Sequence, residues 1–420
     1  MSVHTLRGMS DIFPEETLLW IEIEQAARRL FSYYGYEEIR TPLLEELALF
    51  TRTLGGTTNI VEKEMYSFQD HGEKWIALRP EGTASVVRAH IESGRAAQEP
   101  IARYYYIGPM FRHERPQKGR FRQFHQIGVE AFGIKSPLLD AEMIHMLDLY
   151  FKGLGLTEFE IELNSLGCPI CRPLYYKAFH AFLAENQEGL CDDCHRRMEK
   201  NPLRVLDCKE EGCCQLTAEA PSIQDHLCQG CEKDLDLVIE SLGGLGSSYK
   251  INPRIVRGLD YYTKTAFEFT TQALGSQNAI AGGGRYDGLV RLMGGPPIPG
   301  VGFGIGEERV VEVLKTVRAG TGSDPRKLVF IAPIGEKAEQ EAFQLSQALR
   351  KEKITTELDY DQNSLKSQMR RADKIKARYV LILGDNELKK KIVILRNMQT
   401  QEQSEIASNQ IISKLKESLA

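Results

Sequence analysis

No stretch of the chain approaches the run of about 18 apolar residues that a membrane-spanning helix needs. The first residues, Met-Ser-Val-His-Thr-Leu-Arg, lack the apolar core of a secretory signal. A cytoplasmic protein with no membrane partner is therefore expected. An excess of one charge is also missing: 53 Lys+Arg against 58 Asp+Glu leave a net charge of −5. This excludes a blanket basic coat and confines any nucleic-acid contact to a local patch. Cysteine is absent before Cys168 and after Cys231, and all nine cysteines lie between those positions. An odd, clustered set without an export signal reads as cytosolic thiols or a metal site, not as a disulfide framework.

The chain has 420 residues, 42% hydrophobic and 26% charged. That is enough apolar material for more than one core, and the length fits two to four domains. Near the start, Leu19, Ile23, Ala26, Ala27, Leu30 and Tyr34 recur at spacings of three and four, predicting an amphipathic helix that Gly35 ends. Glu38-Ile39-Arg40-Thr41-Pro42 reads as a strand that proline confines to an edge or terminus. Strand-like runs follow at Trp75 to Leu78, Arg103 to Ile107, Phe124 to Val129 and Phe159 to Leu163. They lack regular strand–helix alternation, so an α+β domain with an antiparallel sheet is expected. The cysteine-bearing stretch is otherwise polar and helical, and reads as an insertion before strands resume at Tyr249. Past a linker-like string to Pro325, Leu328 to Ala332, Thr355 to Leu358 and Tyr379 to Leu383 alternate with helical patterns over Lys337 to Arg350 and Ser364 to Lys374. That predicts βαβαβ, a small three-layer α/β domain. From Lys327 onward 17 Lys+Arg face 13 Asp+Glu, which fits either an anionic partner or a solvated surface.

Four clusters carry chemistry. Phe111 to Gln126 contains Arg112, Glu114, Arg115, Lys118, Arg120 and Arg122 around Pro116 and Gly119. Forked guanidiniums on a hairpin suit polyphosphate, and a solvated basic loop is the alternative. Gly300-Val-Gly302-Phe-Gly304-Ile-Gly306 puts four glycines on one face of a strand and Val301, Phe303 and Ile305 on the other. A strand stripped on one face invites close approach by a flat ligand such as adenine, or by another backbone. Arg309 follows at a helix start, within reach of a phosphate. This is neither a P-loop nor a dinucleotide fingerprint. Arg257-Gly-Leu-Asp-Tyr261-Tyr262 and Gly283-Gly-Arg285-Tyr286-Asp287 mix arginine, tyrosine and acid beside glycine, although tyrosines also serve as core residues. Arg79-Pro-Glu81-Gly82-Thr83 forms a tight turn in which Thr83 can cap the following helix.

Together these residues resemble the class II aminoacyl-tRNA synthetases, and within them the histidyl-tRNA synthetase family, over essentially the whole chain. Gly35-Tyr36 through Pro42 is similar to the class's first motif, a dimer-interface helix and strand. Phe111-Arg112-His113-Glu114 and its loop are similar to the second, and Gly302 to Arg309 to the third. Arg257 to Tyr262 and Gly283 to Asp287 are similar to the histidine-recognition peptides. The resemblance implies a six-stranded antiparallel sheet flanked by helices, an insertion, and a C-terminal α/β anticodon-binding domain. The expected domains are 1–166 with 247–318 (catalytic), 167–246 (insertion), 319–326 (linker) and 327–420 (anticodon-binding).

The implied activity joins histidine to the 3′ end of tRNA(His) through an adenylate, in a homodimer. ATP is a substrate and Mg²⁺ comes with it. By resemblance Arg112 holds the α-phosphate and Glu114 the adenine end, while Arg120 and Arg309 hold the β/γ-phosphates. Arg257 lies on the other side of the α-phosphate and is catalytic together with Arg112. Glu130 and Tyr262 would take the imidazole, and Tyr261 also belongs to the histidine-binding set. Glu81, Thr83, Gln126 and Tyr286 would surround the amino and carboxylate groups, and Gly82 is a further histidine-binding residue. A non-catalytic regulatory partner of ATP phosphoribosyltransferase is the rival reading. Against it stand the C-terminal domain and the retained Arg112, Arg120, Arg257 and Arg309. The resemblance does not supply a metal for the cysteines. Spacing alone points to a structural zinc on Cys168, Cys171, Cys191 and Cys194. Cys228–Cys231 is left as a third pair that Cys208, Cys213 and Cys214 could complete as a second site.

Overall fold

The first helix, Pro14–Tyr33, carries the expected apolar stripe and buries Trp20, Ile23, Ala27 and Phe31, with Leu19, Ala26, Leu30 and Tyr34 packed beside them. Gly35 ends it at φ +75°, and the Tyr36 amide turns back to the Phe31 carbonyl at 3.1 Å. These are the left-handed C′ residue and the closing bond of a Schellman stop. The strand expected at residues 38–42 is shorter and earlier. Glu37–Glu38 pairs in parallel with Tyr104 and Tyr105, the Ile39 amide adds a last bond to the Tyr105 carbonyl at 2.8 Å, and the chain leaves the sheet before Pro42, which has no donor for a ladder. The computed structural model describes residues 3–55, 58, 60–117, 119–275, 278–318, 327–361 and 363–419. The expected linker 319–326 and Lys118 of the basic loop lie outside them. Two compact units divide the chain, Met1–Ala319 and Gly320–Ala420.

The first unit is built on a sheet whose six central strands run antiparallel. Their spatial order is Ala102–Phe111, Gln123–Phe132, Gly300–Gly306, Ala279–Arg285, Thr263–Thr270 and Glu160–Ser165. Two-residue strands, Glu37–Glu38 and Lys250–Ile251, add in parallel at the two edges. Val301, Phe303 and Ile305 enter one core with Phe267 and Phe269, covered by helices Pro14–Tyr33, Leu138–Gly153 and Glu307–Val317. The opposite face carries the polar residues described below. A separate three-stranded sheet is made of Leu44–Glu46, Trp75–Leu78 and Ser67–Gln69.

Residues 167–246 are helical, as composition suggests, with helices Arg172–Glu185, Asp192–Lys200, Glu211–Ala218 and Gln229–Gly244. Tyr175, Phe179, Leu183 and Val205 make a small core of their own. The last helix instead sends Leu235, Val238 and Leu242 into the core of the large sheet.

The second unit is a five-stranded sheet in the order Thr355–Leu358, Leu328–Ile334, Tyr379–Gly384, Ile392–Asn397 and Gln403–Ala407. The first three strands are parallel, and the last two add antiparallel. Helices Glu336–Lys351 and Ile411–Leu419 pack on the face of Val329 and Ile331. Helix Leu365–Lys374 packs on the face of Phe330 and Ala332. This is the expected three-layer arrangement, extended by a hairpin and a final helix that the βαβαβ reading lacked.

Candidate active site

Register turns the local glycine alternation into a trench. Tyr106 faces Gly128, Gly128 faces Gly304, Gly304 faces Gly282, and Gly282 faces Glu268. Residues directly opposite one another share a face of the sheet. Three adjacent strands, spaced about 4.8 Å apart, therefore present bare backbone in one row between Tyr106 and Glu268. Above this floor lies a cavity of ≈ 290 Å³ that Gly282, Gly304 and Gly306 help to line. A Cβ at Gly304 would meet only the Gln126 amide at 3.6 Å, whereas one at Gly282 would lie 2.6 Å from Arg257 Nη1.

Four arginines reach the cavity: Arg112, Arg120, Arg257 and Arg309. Arg112 Nε donates to the Pro80 carbonyl at 2.8 Å, and its guanidinium lies 5.1 Å from the centre of the Phe124 ring. Arg120 pairs with Glu114 at 3.2 Å. Arg309 Nε donates to the Gly119 carbonyl at 3.0 Å, which ties the start of helix Glu307–Val317 to the basic hairpin. Burial, and then the charge of Arg120, push Arg309 below its ordinary value. The opposite charge of a polyphosphate would offset both penalties. Arg257 pairs with Glu268, and its Nε is buried with no hydrogen-bond partner.

Glu81, Thr83, Tyr106, Gln126, Tyr261 and Tyr262 also line the cavity. The structure corrects the capping role expected of Thr83. Glu81 caps helix Thr83–Glu92 instead, accepting from the amides of Thr83 at 2.7 Å and Ala84 at 2.9 Å. Those amides point toward the incoming chain, where an acidic side chain is favoured. The Thr83 hydroxyl turns inward and donates to Glu130 Oε1 at 2.6 Å, and the Tyr286 hydroxyl donates to Glu130 Oε2. Glu130 and Tyr286 are each 1% exposed and lie behind the lining. Burial pushes the Glu130 carboxyl up to about 8, against the pull of its two hydroxyl donors. At neutral pH it is chiefly the acid. Gly82 is buried against Tyr106, leaving no room for a Cβ.

Arg285, read beside Tyr286 in the same glycine cluster, belongs to the other side of the sheet. It faces Val301 across the ladder and is buried against Asp140, with carbonyls of Ile134 and Ser136 at 3.0 and 3.1 Å. This is a structural ion pair. Glu268 and Tyr106 are site residues that the sequence reading missed. Glu268 carried a signal: an acid within the otherwise apolar Ala266-Phe267-Glu268-Phe269 run.

The cysteines pair differently from the expected set. Cys168 and Cys171 meet Cys228 and Cys231, whereas Cys191 and Cys194 meet Cys208 and Cys213. The 14-residue helix Arg172–Glu185, about 21 Å long at 1.5 Å per residue, carries the second pair away from the first. The expected grouping of Cys168, Cys171, Cys191 and Cys194 is therefore wrong. Cys214 joins neither group.

The sequence model of the family described as Histidyl-tRNA synthetase matches residues 8–178 and 209–310. The chain belongs to the histidyl-tRNA synthetase family. A model described as Anticodon binding domain matches 328–418. The histidine–tRNA ligase of Geobacter metallireducens is 51% identical over 401 residues, 96% of each chain. That of Thermodesulfovibrio yellowstonii is 50% identical over 416 residues, 99% of each. The apo histidyl-tRNA synthetase of S. aureus superposes with a TM-score of 0.82 at 34% identity, over 99% of this chain and 100% of that one. Likeness to ligases at this identity, over both units, sets aside the regulatory-subunit reading. An ATP-dependent aminoacyl-tRNA ligase of the histidyl-tRNA synthetase family fits a site that gathers arginines and buried acids over bare backbone. Among the described residues no helix is long and apolar enough to cross a membrane.

Proposed function

We propose that this chain activates histidine with ATP and transfers it to the 3′ end of tRNA(His), using the trench as the site of both steps. The observation that carries the assignment is the glycine row set between an arginine cluster and a buried acid–tyrosine pocket. Adenine lies flat where side chains are absent. Arg112 holds the α-phosphate, Glu114 the adenine end, and Arg120 and Arg309 the β/γ-phosphates, with Mg²⁺ accompanying the nucleotide. A carboxylate oxygen of histidine attacks the α-phosphorus, and pyrophosphate leaves with the bridging electron pair. A ribose hydroxyl of the tRNA terminus then attacks the adenylate carbonyl and AMP departs. No covalent enzyme nucleophile is needed, because in-line positioning and charge stabilisation lower the barrier. Arg257, with its free Nε, stabilises charge developing on the α-phosphate.

Glu81, Gly82, Thr83, Gln126 and Tyr286 surround the amino and carboxylate groups, and Glu130, Tyr261 and Tyr262 the imidazole. Both oxygens of Glu130 are held by Thr83 and Tyr286. Each oxygen keeps a second lone pair, so a ring nitrogen can join these hydroxyls on Glu130. A pocket that pairs both ring nitrogens rejects isosteres lacking them by about 10⁴–10⁵, so editing is unnecessary.

Residues 1–166 with 247–318 are the catalytic domain around the 167–246 insertion, and 327–420 reads the anticodon. The chain acts as a cytoplasmic homodimer. Phe13, Leu18 and Tyr33 at the first helix, and Leu44, Phe68 and Trp75 on the small sheet, are exposed apolar residues that support such an interface. Histidine-dependent ATP–pyrophosphate exchange, followed by charging of tRNA(His), tests the assignment. Absence of exchange with histidine, or exchange with another amino acid, overturns it.

A further inference from the structure

We propose that the insertion holds two structural zinc ions, one on Cys168, Cys171, Cys228 and Cys231 and one on Cys191, Cys194, Cys208 and Cys213, and that together they fasten the Arg257–Tyr262 peptide into the active site. In each group the four sulfurs lie within 4.8 Å of one another. Cys168 Sγ is 3.5 Å from Cys171 Sγ and 3.8 Å from Cys228 Sγ, and Cys191 Sγ is 3.8 Å from Cys208 Sγ. Four sulfurs at about 2.3 Å around a tetrahedral zinc are about 3.8 Å apart. The sulfurs also receive backbone N–H groups, as metal-bound thiolates do. Ile170 N donates to Cys168 Sγ at 3.4 Å, Cys228 N to Cys171 Sγ at 3.1 Å and Cys191 N to Cys213 Sγ at 3.2 Å. Four soft ligands and no carboxylate select a closed thiolate site rather than magnesium, calcium or manganese. Cys214 stands outside, with its Sγ on the Cys208 carbonyl at 3.1 Å.

Each site borders the recognition peptide. Next to Cys171, Arg172 donates to the carbonyls of Leu166, at 3.1 Å, and Tyr262. Gly167, next to Cys168, accepts from Thr263 Oγ1 and the Lys264 amide at 2.9 Å each. Between the second site's Cys194 and Cys208, Asn201 Nδ2 donates to Asp260 Oδ1 at 2.9 Å, and Arg204 donates to the Gly258 carbonyl. The peptide that carries Arg257, Tyr261 and Tyr262 is thus held by neighbours of the first set of sulfurs and by the segment that links Cys194 to Cys208 in the second. The helices of the second site have only nine and eight residues, Asp192–Lys200 and Glu211–Ala218. Helices this short do not persist without tertiary support, and closed thiolate zinc supplies it.

The metal content stands apart from the proposed activity, whereas the fastening rests on it. Elemental analysis of the full chain, purified without added metal, should give two zinc and no iron per chain. Mercurial titration with a zinc-sensitive dye should release two equivalents. Cys228→Ser and Cys208→Ser should each lose one equivalent, and Cys214→Ser none. In histidine-dependent exchange the two depleted variants should raise the histidine KM about tenfold and leave the ATP KM within twofold. If a serine variant does not fold, hydrogen exchange across 257–264 in the wild-type chain, before and after mercurial release, replaces it, with protection expected to fall. Less than two zinc in the wild-type chain, or iron in its place, overturns the sites. Zinc loss with unchanged histidine KM or unchanged protection overturns the fastening. Two zinc in a chain without exchange activity leaves the sites standing and removes the proposed function.

Discussion

Replacing Glu130 with glutamine should make the protein more stable and a poorer enzyme. The carboxyl is buried, and its ionisation is pushed from the ordinary 4.5 to about 8. Between those values the folded chain keeps a proton that the unfolded chain releases. Its stability contribution is thus complete below pH 4.5, declines as pH rises to about 8, and is constant beyond. Each pH unit in that window costs about 1.4 kcal/mol, so at pH 7 Glu130 costs about 3 kcal/mol relative to a neutral isostere. Glutamine keeps the shape and one acceptor for Thr83 or Tyr286 and cannot ionise. At an unfolding entropy of about 2 cal/mol/K per residue for the first unit, the gain is about 5 °C in Tm at pH 7 and vanishes near pH 4.5. Losing one neutral hydrogen bond between the acid and the imidazole, worth ~0.5–1.5 kcal/mol, should lower kcat/KM for histidine about 2- to 10-fold. Calorimetric Tm of both proteins from pH 4.5 to 8.5, alongside histidine-dependent exchange, makes the comparison. Parallel Tm curves would refute the buried-acid reasoning. Unaltered kcat/KM for histidine would remove Glu130 from the pocket.

Arg257→His should lower kcat for adenylate formation by about 10²–10³, the usual cost of removing one transition-state donor, and change the histidine KM far less. Equal losses in both would contradict a transition-state role. Gly304→Ala, whose Cβ would meet only Gln126 at 3.6 Å, should fold normally and raise the ATP KM; Gly283→Ala, with its Cβ 2.2 Å from the Gly302 carbonyl oxygen, should not fold. An unchanged ATP KM in the first would mean that adenine does not use the trench floor. Ending the chain after Arg318 should leave exchange largely intact and impair tRNA charging, because the cavity lies wholly in the first unit and the exposed Arg370, Arg371, Lys374 and Lys376 lie in the second. Charging at a normal tRNA KM would end the anticodon-reading role. Light scattering at micromolar concentration should give a dimer, and a fully active monomer would exclude it.

What could be read from the sequence was local. Trp75–Leu78 and Thr355–Leu358 have the expected bounds because a strand's alternation and its flanking turns lie within a few residues. The glycine alternation of 300–306 was legible for the same reason. Its continuation into Gly128 and Gly282 was not, since it depends on the register among three strands. The Cys-x-x-Cys pairs were visible, but which pair meets which depends on helix length and chain direction between them. Arg285 and Tyr286 are adjacent in sequence and serve opposite faces. The ladder on Thr263–Thr270 is irregular between Gly284 and Arg285, and no composition signal marks that shift. The tail's last hairpin went unseen because polar Gln403–Ala407, which pairs with Ile392–Asn397, does not alternate cleanly.

The charges around the trench also explain why a site for so anionic a substrate belongs to a chain that is itself slightly acidic. Arg257 rests on Glu268, Arg120 on Glu114, and Arg112 and Arg309 on backbone carbonyls. Each guanidinium is already oriented, so binding need not order four long side chains at once. An unpaired buried cation would cost several kcal/mol, and these partners avoid that cost. When phosphate arrives it exchanges for a carboxylate or carbonyl, so the net gain is a difference between two good interactions rather than one large attraction. That difference is greatest for Arg257, whose second donor, Nε, has no partner to give up. On the proposed placement of Arg257 beside the α-phosphate, the strongest new bond forms where charge builds as histidine attacks. The partners that orient the trench arginines thus leave the largest gain in binding energy to Arg257.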